Sequence, residues 1–156
     1  MNRNRYLAHR IREVYLDGKW VANTNFKSAI ENLTWKDATW KQGSLNTIGA
    51  LVFHVNYYLA GLINVFEGGG LEIRDKYSFD MTPIESQETW NDLRNTFLAN
   101  AEKFAAHVEN LSDAKLDEAF VDEKYGTYLR NIEGIIEHGY YHLGQISLIN
   151  KMIAEK

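Results

Sequence analysis

The chain contains no cysteine. Disulfides, cysteine-built zinc fingers and a cysteine nucleophile are thereby excluded, and any transition-metal site has to use imidazole and oxygen donors. Basic runs are missing as well. The formal charge is −4, with 17 Lys and Arg against 21 Asp and Glu. The densest basic stretch, Arg3, Arg5, Arg10 and Arg12, is interrupted by Tyr6, Leu7 and His9. Nucleic-acid binders concentrate positive charge on one face, so this stretch reads as a solvated helix face, and no nucleic-acid partner is expected. Met1 to Arg12 carries charges throughout and no apolar block follows, so no secretory leader is expected. A cysteine-free chain suits a reducing compartment, and the expected location is the cytoplasm. Repeats and low-complexity linkers are also lacking, which favours one domain over residues 1–156.

What is present is core material: 45% of residues are apolar and 13% aromatic, well above the composition of disordered chains. Thr47 to Phe66 is long enough to span a bilayer. However, His54, Asn56 and Asn64 interrupt it and its Leu, Ile and Val residues keep to one face, so it reads as a core helix and no membrane partner is expected.

The 3.6-residue period predicts four helical stretches. The first runs from about Asn4 to Leu33, with Asp17-Gly18 as a kink or break. The second follows Ser44 as N-cap and carries Ile48, Leu51, Val52, Val55, Leu59, Leu62, Ile63 and Phe66 before Gly68-Gly69-Gly70 stops it. The third starts near Pro83 or Ser86, where Thr82-Pro83-Ile84-Glu85 matches a capping box with proline at the first helical position. It ends near Asn110, and a short helical turn after Ser112 is expected. Phe120 to Arg130 reads as an extended loop, and the fourth helix covers Asn131 to Ala154. An all-α fold, a four-helix bundle with a long connection between its second and third helices, buries these stripes most simply.

His138 and His142 are spaced i, i+4, one turn apart on one face of the last helix, so their imidazoles can converge on a single ion. His54 borders the stripe of the second helix, with Ala50 and Gly61 nearby leaving room for a pocket. The three imidazoles, on two inward-facing helices, form a facial ligand set with open positions. The competing reading is that each histidine is a partly buried polar residue with a hydrogen-bond partner. Glu137 directly precedes His138 and points about 100° away from it, unlike the H-E-x-x-H pattern, so a zincin-type protease is not indicated. His9 and His107 lack partners at ligand spacing and read as surface residues.

Gly49-Ala50-Leu51-Val52-Phe53-His54, together with Glu137-His138-Gly139-Tyr140-Tyr141-His142-Leu143-Gly144-Gln145-Ile146, resembles the DinB superfamily. Within it, Leu16-Asp17-Gly18-Lys19-Trp20 and Leu71-Glu72-Ile73-Arg74-Asp75-Lys76-Tyr77 are similar to the DUF1572 branch. The resemblance implies a DinB-like four-helix bundle, frequently a homodimer, with a divalent metal on His54, His138 and His142. It also implies chemistry on a small-molecule substrate, as in the superfamily's thiol-dependent transferases and its metal-dependent hydrolases, with a low-molecular-weight thiol as a second cofactor.

Three neutral imidazoles leave the charge of a divalent ion uncompensated, which acidifies bound water towards a pKa of about 7 and favours a thiolate. Imidazole suits Zn, Ni and Fe equally. Gln145, Tyr58 and Tyr141, each within one turn of a histidine, are candidates for orienting the rings. No general base stands out. Asp75 and Glu123 lie in loops, and Lys76-Tyr77 and Lys124-Tyr125 either rim a pocket or pack those loops. The alternative function is a non-catalytic stress-response or ligand-binding protein with vestigial or structural histidines.

Overall fold

The computed structural model describes residues 2–155. Met1 and Lys156, the ends of the expected 1–156 domain and, for Met1, the start of the stretch read as leaderless, lie outside the described residues. Among the described residues the regular structure is helical: α1 (Arg3–Tyr15), α2 (Phe26–Ile30), α3 (Trp35–Ala38), α4 (Ile48–Phe66), α5 (Gln87–Glu109), α6 (Asp113–Leu116) and α7 (Tyr128–Ala154). The four long helices close a ring in which α1 and α4 each pack against both α5 and α7.

The first expected helix is two helices. α1 stops at Tyr15, and the chain turns back over its last turn. A side chain at Gly18 would collide with Glu13, so the reversal needs glycine there. Asn25 completes the turn, donating to the Gly18 carbonyl at 2.9 Å and accepting from Ser28 N to cap α2. The reversal brings Phe26 beneath Tyr15 and Phe97, with ring centroids 5.2–5.8 Å apart and all three rings inaccessible to water. Burying rings of this size supplies roughly 1.5–3 kcal/mol each, more than the helical bonds lost by breaking one long helix into two. α3 was not expected. Its single turn is held by a reciprocal cap between Thr34 and Asp37 and is too short to show a periodic stripe.

Two helix starts, those of α4 and α7, differ from expectation. α4 is capped by Thr47, whose hydroxyl accepts from Ala50 N at 3.1 Å, rather than by Ser44. α5 takes the later of its two expected starts, capped by the Ser86–Thr89 pair and not at Thr82. Ile84 tells against the Thr82 cap, because it is buried against Gly49 of α4. α6 follows Ser112 as expected, with Ser112 as its cap. The expected loop over Phe120 to Arg130 contains an isolated bridge between Ala119 and Thr127 and a 3-10 turn at Glu123–Tyr125. Thr127 then caps α7, so that helix begins at Tyr128, earlier than Asn131.

α4 is the one helix among the described residues apolar and long enough to cross a membrane, yet 61% of that window is buried within the fold. Its polar residues have protein partners: Asn56 accepts from Asn100 Nδ2 at 2.8 Å, and Asn64 donates to the Gly70 carbonyl at 2.8 Å. It therefore behaves as a core helix. Two of the four arginines of α1 face carboxylates, Arg3 on Asp117 and Arg12 on Glu102 and Glu109, and Arg10 lies over the Tyr6 ring.

Candidate metal centre

Packing α4 on α7 brings three imidazoles together. His138 Nε2 lies 3.0 Å from His54 Nε2 and 2.9 Å from His142 Nε2. The ring centroids are 4.4–4.9 Å apart and the planes are steeply inclined, at 62–87°. This is an arrangement of rings aiming nitrogens at one point rather than stacking. His54 and His142 are 8% and 6% exposed, and His138 is half-buried.

The outer nitrogens are held. His142 Nδ1 is 2.6 Å from Gln145 Oε1, an oxygen that can only accept, so the Nδ1 carries the proton. His54 Nδ1 lies 3.3 Å from the Ser78 carbonyl, which imposes the same tautomer. Both Nε2 atoms therefore present lone pairs to His138 Nε2, which has at most one proton and cannot donate to both. A cation resolves this frustration. Metal–imidazole bonds of about 2.0–2.1 Å place neighbouring nitrogens about 2.9–3.4 Å apart, depending on the angle. The observed 2.9 and 3.0 Å from His138 to its two neighbours fall at the right-angle end of that range, and the three ligand atoms all lie within 4.8 Å of one another, so the group could hold a divalent metal ion.

The electrostatics favour the ligand form. Burial, reinforced by the neighbouring His142 and His54, pulls the His138 imidazole down to about 4. Burial also lowers His54, with a further push from His142, and lowers His142 despite the opposing Gln145 bond. All three are neutral near pH 7, as coordination requires.

The surroundings are aromatic. Phe79 stacks on His54 at 4.1 Å with the planes 10° apart, and Tyr58 sets its ring edge-on to His54 and His138 at 5.2 and 5.3 Å. Of the three residues expected to orient the histidines, Gln145 meets a ring nitrogen. The Tyr58 hydroxyl goes instead to Asp75 Oδ1 at 2.8 Å. Tyr141 is 66% exposed and rests its ring on His142 at 4.9 Å.

A cleft of about 630 Å³ opens beside His138 and Tyr58. Asp75 lines it and Glu123 does not; Tyr125 lines it and Lys76, Tyr77 and Lys124 do not. The two lysines lie over their neighbouring tyrosine rings at 4.6 and 4.9 Å. Glu137 turns outward to Arg130 at 3.0 Å, away from the imidazoles. His9 is exposed. His107, expected at the surface, is half-buried with Nε2 3.3 Å from Glu67 Oε1. Sequence reasoning missed Ser78 and Phe79. Both lie between α4 and α5 in a stretch without a periodic pattern, so no local signal marks them.

Fold and site together define an all-helical protein with three imidazoles gathered beside a cleft. The family model for the DinB superfamily matches residues 21–146, most of the chain and all three histidines. The chain belongs to the DinB superfamily. Comparisons with curated proteins and with solved structures found no match.

Proposed function

We propose that the protein is a divalent-metal-dependent enzyme acting on a small molecule, most simply a thiol-dependent transferase or a hydrolase, with His54, His138 and His142 as ligands. The observation that carries this reading is the meeting of three imidazoles at their Nε2 atoms, with the outer nitrogens of His54 and His142 already engaged by Ser78 and Gln145. Zn, Ni and Fe all suit the donors, and a low-molecular-weight thiol is the proposed co-substrate. Held by His54, His138 and His142, such an ion would supply Lewis acidity to a bound water or thiol beside the cleft. Gln145 and the Ser78 carbonyl fix the tautomers, and Phe79 and Tyr58 confine the rings and shield them from water. Asp75, restrained by Tyr58, is the carboxylate that lines the cleft and is the proposed proton acceptor.

In this reading the four long helices form a DinB-like four-helix-bundle domain of the DUF1572 branch, working as a cytoplasmic homodimer. The closed packing of α1, α4, α5 and α7 supports the bundle. The test is elemental analysis of protein purified without chelator, beside His138→Ala and His54→Ala. Near-stoichiometric metal in the parent protein and its loss in both variants is expected, followed by turnover in a thiol-transfer screen. Equal metal content in all three would remove the assignment.

A further inference from the structure

We propose that the cleft beside His138 takes a small organic acid, whose anionic head is held by Arg74 and Arg130 and whose apolar body lies along Gly134, with its reacting end at His138. The reacting end rests on the metalloenzyme reading, whereas binding of the acid rests on the cleft alone.

Gly134 is the first observation. It lies inside α7, where glycine costs about 1 kcal/mol relative to alanine. Gly49, Gly61 and Gly139 have packing reasons, since a Cβ at Gly49 or Gly61 would strike Ile84 or Ile73, and one at Gly139 would strike Tyr15; Gly144 meets nothing, but it is exposed and does not line the cleft. A Cβ at Gly134 would meet nothing nearer than Arg130 Nη1 at 3.9 Å. Neighbour packing thus gives no reason for a glycine there. What its missing side chain leaves is cleft volume, since Gly134 is part of the cleft wall.

The second observation is the character of the walls. Leu62, Ile73, Phe120 and Ile135 supply apolar surface on several sides, as a pocket for a hydrocarbon or aromatic body requires. The charged lining residues are two guanidinium groups, Arg74 and Arg130, against one carboxylate, Asp75, in a chain of net charge −4. Asp75 is engaged by Tyr58. Arg130 makes a solvent-exposed pair with Glu137, an interaction weak enough to yield to a ligand. The Arg74 side chain has no ion pair or hydrogen bond among the described residues. Its backbone is anchored, with N donating to Tyr57 Oη at 2.8 Å and O accepting from that hydroxyl at 3.1 Å. A planar carboxylate matches guanidinium donors, and an amine or a neutral head does not.

Isothermal titration with octanoate, octanol and octylamine tests the assignment, on protein as purified and after chelation, with metal content measured on the same samples. Octanoate is expected to bind at least about tenfold more tightly than octanol, with octylamine weakest, and high salt should narrow the gap. Arg130→Gln and Arg74→Gln should each weaken octanoate severalfold or more and leave octanol unchanged, while Arg130→Lys retains part of the preference. Gly134→Leu should abolish binding of both probes, and Gly134→Ala, which fits sterically and favours the helix, should weaken them without lowering the unfolding midpoint. Octanol binding as tightly as octanoate, loss of octanoate binding on chelation alone, or unchanged binding in both Gly134 variants would overturn the inference. Metal-loaded protein that ignores octanoate sinks this inference alone, whereas arginine-dependent octanoate binding by protein that never carries metal sinks the metalloenzyme reading alone.

Discussion

Replacing Gly139 by alanine places a methyl group between α7 and α1 where the helices already touch. An ideal Cβ there would lie 2.6 Å from Tyr15 Oη, 2.8 Å from its Cζ and 3.1 Å from Val14 Cγ2. The tyrosine cannot swing aside. Its ring is fully buried against Phe26 and Phe97, and its hydroxyl donates to the Ile135 carbonyl at 2.7 Å. Overpacking of this kind costs about 1–3 kcal/mol, and displacing the hydroxyl forfeits about 1 kcal/mol more. Helix propensity returns about 1 kcal/mol, leaving a net loss of about 2 kcal/mol. At about 2–4 °C per kcal/mol for a chain of this size, the thermal midpoint should fall by about 4–8 °C. Gly144→Ala on the same helix is the control. Nothing lies within 4 Å of its added methyl, so it should stabilise by about 0.5–1 kcal/mol. Urea denaturation of the two variants measures the split. A Gly139→Ala protein as stable as the parent would refute the close-packing argument and with it the way α7 is positioned for its histidines.

Gln145→Ala should weaken metal binding about 10–100-fold with little change in stability, because it frees His142 Nδ1; a competition titration with a chromophoric chelator measures this, and an unchanged affinity would contradict the orienting role. Adding metal at about 1,000 times its Kd should raise unfolding free energy by about 4 kcal/mol, and chelation should reverse it. In metal-free protein, burial keeps His138 unprotonated down to about 4, whereas in the unfolded chain it takes up a proton near 6.5. The unfolded state then binds more protons between those values, so stability should fall as pH drops from about 6.5 towards 4. Urea midpoints across that range should show a shallower fall in His138→Gln than in the parent, and parallel curves would count against the buried, neutral imidazole.

The helices that bear the histidines were legible because each carries a long apolar stripe, and because i, i+4 spacing fixes the relation of His138 to His142 without tertiary information. Gln145 was legible for the same reason. The meeting of His54 with that pair, 84 residues before His138, was suggested by its place beside the apolar stripe and carried mainly by the family resemblance. Local signals failed where distant packing decided the outcome. Thr82-Pro83-Ile84-Glu85 has the residues of a capping box, but Ile84 is claimed by α4, and Ser86 takes the cap. Asp17-Gly18 marked a break, but not that the chain would reverse to seat Phe26 under Tyr15. The partners of His54 beyond the helices, Ser78 and Phe79, belong to a segment whose shape is set by what it covers.

That segment, residues 67–86, has a consequence for how such a protein can diversify. Within a few positions it presents a carbonyl to His54, an aromatic plate over the same ring and a carboxylate to Tyr58, while its own regular structure is one 3-10 turn at Asp75–Tyr77. Core helices resist substitution because each change disturbs dense packing, but surface connections tolerate insertions and replacements. Selectivity can therefore drift by rewriting one peripheral strap while the scaffold beneath it stays constant.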